Sequence, residues 1–166
     1  TNKEYTMVIL LTLESGEVVR YYTRIIQSYD YRAGEKLDYV YAFSEKTFAE
    51  SPENEEIIVY LESDSTGDNT NYRHVNIHSS FEQITWGDLD VKRESEPVAY
   101  VEELASSTAV IRLEYVVSLQ EGRVTHYYNV EERFRLRYGT ERIYLLEYDR
   151  YMDQKKKKKD NAFFGN

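Results

Sequence analysis

Apolar positions in the first third of the chain recur at helical spacing. In "ESGEVVRYYTRIIQSYDY", Val18, Tyr22, Ile25 and Tyr29 form one stripe, with Val19 and Ile26 beside it. Recurrence every three and four residues predicts a helix with one buried face. Ser15 stands where an N-cap belongs and Glu17 falls in the first turn. Gly34 breaks the run, and "EKLDYVYAFSEKTF" resumes it with Leu37, Val40, Tyr41, Ser44 and Phe48. "SPENEEIIVYLES" carries the clearest start signal. Ser51 can cap, Pro52 suits the first helical position, and Glu53, Glu55 and Glu56 favour the positive end of a helix.

Residues 63–71, "SDSTGDNTN", are polar and predict a loop. Beyond them the period changes to two. "HVNIHSSF" alternates Val75, Ile77, Ser79 and Phe81 against His74, Asn76 and His78. "TAVIRLEYVVSL" places Ala109, Ile111, Leu113, Tyr115 and Val117 on one face of a strand. "QEGR" at 120–123 predicts a hairpin turn. In "VTHYYNVEERFRLRY", Val124, His126, Tyr128, Val130, Phe134, Leu136 and Tyr138 share one face. Arg133, Arg135 and Arg137 stand on the other. "RIYLLEYDRYM" is the last strand. Helices followed by an antiparallel meander predict an α+β domain, with helices packed on one face of a curved sheet. The arginine-bearing face would then meet solvent or a partner.

Composition narrows the function. The 166 residues suit one domain, expected over 1–153, with a lysine-rich disordered tail over 154–166. The five lysines Lys155–Lys159 repel one another and resist folding. Such a run stays solvated or touches an anionic surface. There is no cysteine, which excludes disulfides, thiolate nucleophiles and cysteine-based zinc sites. The net charge of −9 argues against specific or broad nucleic-acid binding, which needs a basic surface. The longest apolar run, "TMVILLTL" at 6–13, falls short of the ~20 residues of a membrane span. Tyrosine is abundant, with 17 copies; it suits half-buried surfaces and interfaces alike.

The parts of an active site are sparse. There is no glycine-rich phosphate loop, GxSxG, HExxH or EF-hand loop, and nothing calls for a cofactor. His74 and His78, four apart on a strand, would lie roughly 13 Å from each other and could not share a metal. His126 falls on the apolar row of its strand. With Asp30 and Tyr29 from the first helix it could do acid–base chemistry in an apolar cone, or it could be a half-buried histidine satisfied by hydrogen bonds.

The order of elements and two segments resemble the periplasmic domain of the VirB-eight-type inner-membrane assembly factor of bacterial type IV secretion systems. That family carries a "YVxxREx(Y/F)(D)" helix. Here "YYTRIIQSYDY" matches at Tyr22 and at Tyr29-Asp30, with Ile26 and Gln27 in place of the Arg-Glu pair. The family's "NPLGFxVxxY" corresponds to "GTERIYLLEY" at 139–148, where Tyr148, Ile143 and Leu145 keep the pattern. The resemblance spans roughly residues 5–153. It implies a nuclear-transport-factor-2-like cone and a non-enzymatic role in assembling a secretion or conjugation channel. The implied partners are a second copy, as a weak dimer, and other channel proteins. A single-pass anchor upstream of Thr1 would hold the domain in the periplasm at the bacterial inner membrane. The candidate contact residues are Tyr29, Asp30, Arg133, Arg135, Arg137 and Tyr148. The alternatives are a small-molecule binder or acid–base enzyme of the same fold using His126, Asp30 and Tyr29, and an unrelated α+β adaptor. A scaffold would fill the cone with Tyr22, Ile25, Trp86, Tyr128 and Phe134; an enzyme would leave a pocket.

Overall fold

The computed structural model describes residues 3–155, and the lysine run beyond Lys155 lies outside them. The chain forms two compact units, Thr1–Arg32 and Ala33–Asn166.

The first unit corrects the first expectation. Residues 18–31 hold no helix; strand β2 (Val18–Gln27) pairs antiparallel with β1 (Lys3–Thr12) along their full lengths. Seven of the ten β2 residues are β-branched or aromatic, and these lose side-chain freedom in a helix and suit a pleated surface. The turn between the strands is "LESGE". Leu13 N donates to Glu17 O and Gly16 N to Leu13 O, both at 2.9 Å. Gly16 has φ +82°, a left-handed conformation that glycine adopts without a Cβ clash. Ser15 is thus a turn residue and not a helix cap. Strands therefore precede the helices in the chain.

The second unit is α+β, with a six-stranded antiparallel sheet and few helices. Helix α1 (Ala33–Phe48) forms where the sequence predicts it, and buries Lys36, Val40, Phe43, Ser44 and Thr47 at three- and four-residue spacing. The segment after Pro52 is a 3-10 helix, Glu53–Tyr60, without a side-chain cap; Ser51 Oγ instead donates to Glu55. The 63–71 loop contains no regular element.

The sheet comprises β3 (His74–Asn76), β4 (Val91–Arg93), β5 (Val98–Leu104), β6 (Thr108–Glu121), β7 (Val124–Tyr138) and β8 (Ile143–Gln154). Its order is β3-β8-β7-β6-β4, with β5 also on β6. The "HVNIHSSF" alternation ends early. After Asn76 the chain turns, Ser79 N bonding Asn76 O at 2.9 Å, and Ser80 caps the short helix α2 (Phe81–Ile84). Gln154, expected in the tail, is the last residue of β8.

The β6–β7 hairpin turns at Gly122, φ +59°, as "QEGR" predicts. All five residues of the expected inner face of β6 are buried. On β7 the inner row holds Val130, Phe134 and Leu136, and also Glu132, which is fully buried. A bulge between Arg135 and Leu136 in the β7–β8 ladder sets the register that follows. Phe43 of α1 meets Phe134 and Tyr148 at ring distances of 5.6 and 5.0 Å, and Phe48 meets Trp86 at 5.3 Å. Aromatic rings therefore fill the space between α1 and the sheet. Among the described residues no helix is long and apolar enough to cross a membrane.

Candidate functional site

Side chains on β7 and β8 alternate between the buried inner face and an outer face. Arg133, Arg135 and Arg137 fall on the outer face, as expected, but carboxylates neutralise the first two. Arg133 Nε donates to Glu102 at 3.1 Å and Arg135 Nη1 to Glu147 at 3.1 Å. Arg112 on β6 donates to the same Glu102 at 3.0 Å and also pairs with Glu114. Arg137 lies over the Tyr144 ring. Burial pulls the Glu102 carboxyl upward, but hydrogen bonds and charge from Arg112 and Arg133 outweigh it and hold the group below the usual range. This face is a mixed ion-pair network and not a basic patch. Beside it runs a groove of about 700 Å³ with Tyr100, Tyr151, Glu96, Glu114, Glu131 and Asp153 on its walls.

Tyr148, expected at a contact surface, is buried and 1% exposed. It belongs to a polar cluster that the sequence reading missed. β7–β8 pairing sets Glu132 opposite Arg150, and both are fully buried. Tyr148 OH donates to Glu132 Oε1 at 2.7 Å. Arg150 Nη1 and Nη2 donate to the carbonyls of Ile84 and Gln83 at 2.7 and 2.8 Å, and its guanidinium lies 3.5 Å over the Trp86 ring. Glu132 Oε2, Arg150 Nε and Trp86 Nε1 have no hydrogen-bond partner among the described residues. Burial, reinforced by the Glu132 charge, pushes the hydroxyls of Tyr115 and Tyr148 well above the usual tyrosine range. Carboxylate, phenol, guanidinium and indole form an acid–base set in principle. Here they are sealed from solvent and act as a polar clasp between β7, β8 and α2. The signal in the sequence was Glu132 itself, a charge in the apolar row between Val130 and Phe134.

His126 lies near the β6–β7 turn. Gln154 Nε2 donates to His126 Nδ1 at 2.9 Å, which leaves Nε2 to carry the proton facing Glu121 at 3.3 Å. Tyr29 and Asp30 belong to the first unit, not to a helix. Tyr29 is 84% exposed, and Asp30 accepts from Ser28 Oγ at 2.9 Å. His74 contacts Asp149 at 2.8 Å and stacks on Tyr151, whereas His78 contacts the Glu62 carbonyl and Asp64. No group of three metal-ligating side chains forms among the described residues. Of the rings expected to fill the interior, Trp86 and Phe134 are buried and Tyr128 half-buried. Tyr22 and Ile25 lie exposed on β2.

The most unusual surface is on the hairpin. Directly paired residues share a face, so the register sorts its side chains. One face holds the rows Tyr5/Ile25, Met7/Thr23, Ile9/Tyr21 and Leu11/Val19, with no charge until Lys3 at the end. The opposite face mixes Val8, Leu10 and Tyr22 with Arg20, Arg24 and Glu4, and Arg24 pairs with Glu4 at 3.4 Å. Tyr5, Met7, Ile9, Leu11, Tyr21 and Ile25 are between 39% and 54% exposed. Contiguous apolar surface of this kind marks an interaction site in a soluble protein. An isolated two-stranded hairpin is also marginal in water without a third strand or a packed face. Compared with protein-family models, curated proteins and solved structures, the chain matches none.

Proposed function

We propose that this chain is a non-enzymatic contact domain: an α+β body that carries an apolar β-hairpin as its docking element. The observation behind this reading is the uncharged hairpin face of Tyr5, Met7, Ile9, Leu11, Tyr21 and Ile25, exposed in the single chain. In the same reading the body is a cone of the nuclear-transport-factor-2-like type, its interior taken up by Phe43, Trp86, Phe134 and Tyr148. A place in a type IV secretion channel is a more specific form of this proposal. It drew on a helix over residues 21–31, where β2 now stands. The general form, assembly through protein contacts, is the one put forward.

The test uses a photo-crosslinking amino acid at Ile9 on the apolar face or at Thr6 on the opposite face, in the producing cell. Discrete protein adducts from position 9 and few from position 6 are expected. Equal yields from both positions, or none from either, would refute a docking face.

A further inference from the structure

We infer that the occupant of the apolar hairpin face is a second copy of the same hairpin, packed face to face across a two-fold axis. The inference rests on the contact-domain reading and names its partner.

The register makes the face self-complementary. Its central row is Met7/Thr23, flanked by Tyr5/Ile25 on one side and Ile9/Tyr21 on the other. A two-fold along the strands sets each row on its own copy with β1 over β2. Tyr5 then faces Ile25, and Tyr21 faces Ile9. A two-fold across the strands exchanges the flanking rows with β1 over β1. Tyr5 then faces Ile9, and Tyr21 faces Ile25. Either way every tyrosine meets an isoleucine; the axis along the strands also keeps Lys3 on its own end row, whereas the axis across them would set Lys3 over Leu11, so the first arrangement is the one that leaves the patch uncharged.

The charge balance of the hairpin is compatible with this partner. In residues 1–32, Lys3, Arg20, Arg24 and Arg32 balance Glu4, Glu14, Glu17 and Asp30, so the whole −9 resides in the rest of the chain. Two neutral hairpins meet without local repulsion between the paired faces. Face-to-face packing also leaves Arg20, Arg24 and Glu4 in water. Edge-to-edge pairing would keep the apolar face wet.

The area suffices for a reversible dimer. The six large side chains are about half exposed; at roughly 200 Å² for a full-sized side chain they offer about 600 Å² per copy. Two copies bury about 1,200 Å², the lower end of specific interfaces.

The chain has no cysteine, so single cysteines can report the geometry cleanly. Packed sheets lie about 10 Å apart, so a bismaleimide of about that span is the suitable bridge. The Thr23→Cys chain is expected to cross-link to a covalent dimer, and the Thr6→Cys chain to stay monomeric. Sedimentation of the wild-type chain should show a monomer–dimer equilibrium, weakened at least about 100-fold by Ile9→Ser with Tyr21→Ser. Fluorescence of Trp86, the one tryptophan, verifies that the body stays folded. A dimer that survives the double substitution, or that cross-links through position 6 alone, overturns the proposal. A wild-type chain that stays monomeric at high concentration overturns it as well. In that last case the position-9 photo-adducts separate the two readings. Adducts to another protein leave the contact domain standing, and no adducts remove both.

Discussion

Arg150→Met probes the interior most directly. The substitution keeps an unbranched stem and removes the guanidinium with its two hydrogen bonds, 2.7 Å to the Ile84 carbonyl and 2.8 Å to the Gln83 carbonyl. Hydrogen bonds to a charged group contribute about 1.5–3 kcal/mol each. The contact 3.5 Å above Trp86 adds about 2 kcal/mol in a desolvated site. Its loss also removes the positive charge set across the strand pair from the buried Glu132, which adds to the cost. These contributions overlap, and methionine recovers some packing. The expected net loss is therefore about 3–5 kcal/mol, a large part of the ~5–15 kcal/mol that stabilises a typical domain. With a urea slope of ~2 kcal/mol/M, the unfolding midpoint should fall by about 2 M. Trp86 fluorescence is the suitable signal, because the indole reports the second unit alone. Glu132→Gln should cost less, since Tyr148 keeps an acceptor. The double variant Glu132→Gln with Arg150→Met should cost less than the sum by at least ~1 kcal/mol. A midpoint shift below about 0.5 M for Arg150→Met, or single costs that add within ~0.3 kcal/mol, would show that the two charges do not act as a pair.

Two further outcomes follow from buried groups. Lys36 is fully buried on α1, and its Nζ donates to the carbonyls of Ala105, Ser106 and Thr108 at 2.6, 3.2 and 3.3 Å. Lys36→Met should therefore destabilise the body by about 2–3 kcal/mol in thermal or urea unfolding, and a cost below ~0.5 kcal/mol would contradict the role given to this ammonium. Burial also raises the hydroxyls of Tyr115 and Tyr148, with Glu132 adding to the rise, and that of Tyr39, with Tyr60 adding to it. A group whose folded value is raised contributes stability that is full below the unfolded value, about pH 10, and is lost as pH rises above it. Tyrosinate absorbance at 295 nm should thus show a late phase that coincides with the loss of the Trp86 signal. Smooth titration of every tyrosine near pH 10 in the folded chain would oppose it.

Sequence patterning resolved the elements whose signals agree. β6 and β7 flank a glycine turn as read, and the named inner face of β6, Ala109, Ile111, Leu113, Tyr115 and Val117, is buried residue for residue, although Val110 and Ser118 on its other face are buried too. The segment 18–27 satisfies two periods at once. Val18, Tyr22 and Ile25 recur at helical spacing, while Val, Tyr, Thr and Ile also favour a strand. Pairing with "YTMVILLT" decides the outcome, and periodicity within 18–27 alone does not reveal that partner. The arginine face was legible, but its neutralisation was not, because Glu102 enters from a bulge in β5. Tyr148 was misplaced for a similar reason. The row of Tyr148 and Arg150 on β8 acquires meaning only when the β7–β8 register sets Arg150 opposite Glu132. Alternation within a strand is local, whereas register depends on bulges and turns elsewhere.

The two units treat difficult side chains in opposite ways, and the contrast supports the proposed contact surface. In the body the buried charges Lys36, Glu132 and Arg150 each have at least one bonded partner, Arg133 and Arg135 are matched by carboxylates, and Arg137 lies over Tyr144. The hairpin instead leaves tyrosine, isoleucine, leucine and methionine in water along one uncharged face. A charge anywhere in the rows from Tyr5 to Val19 would have blunted that face against association, as exposed strands usually are. The charges stand on the opposite face. Retaining an apolar strand pair in water raises the risk of aggregation, and a partner that covers it removes that risk. On the proposed reading the body is the mount, the hairpin is the grip, and a change such as Ile9→Ser should weaken association, though less than the double substitution does, while leaving the unfolding of the body unaltered.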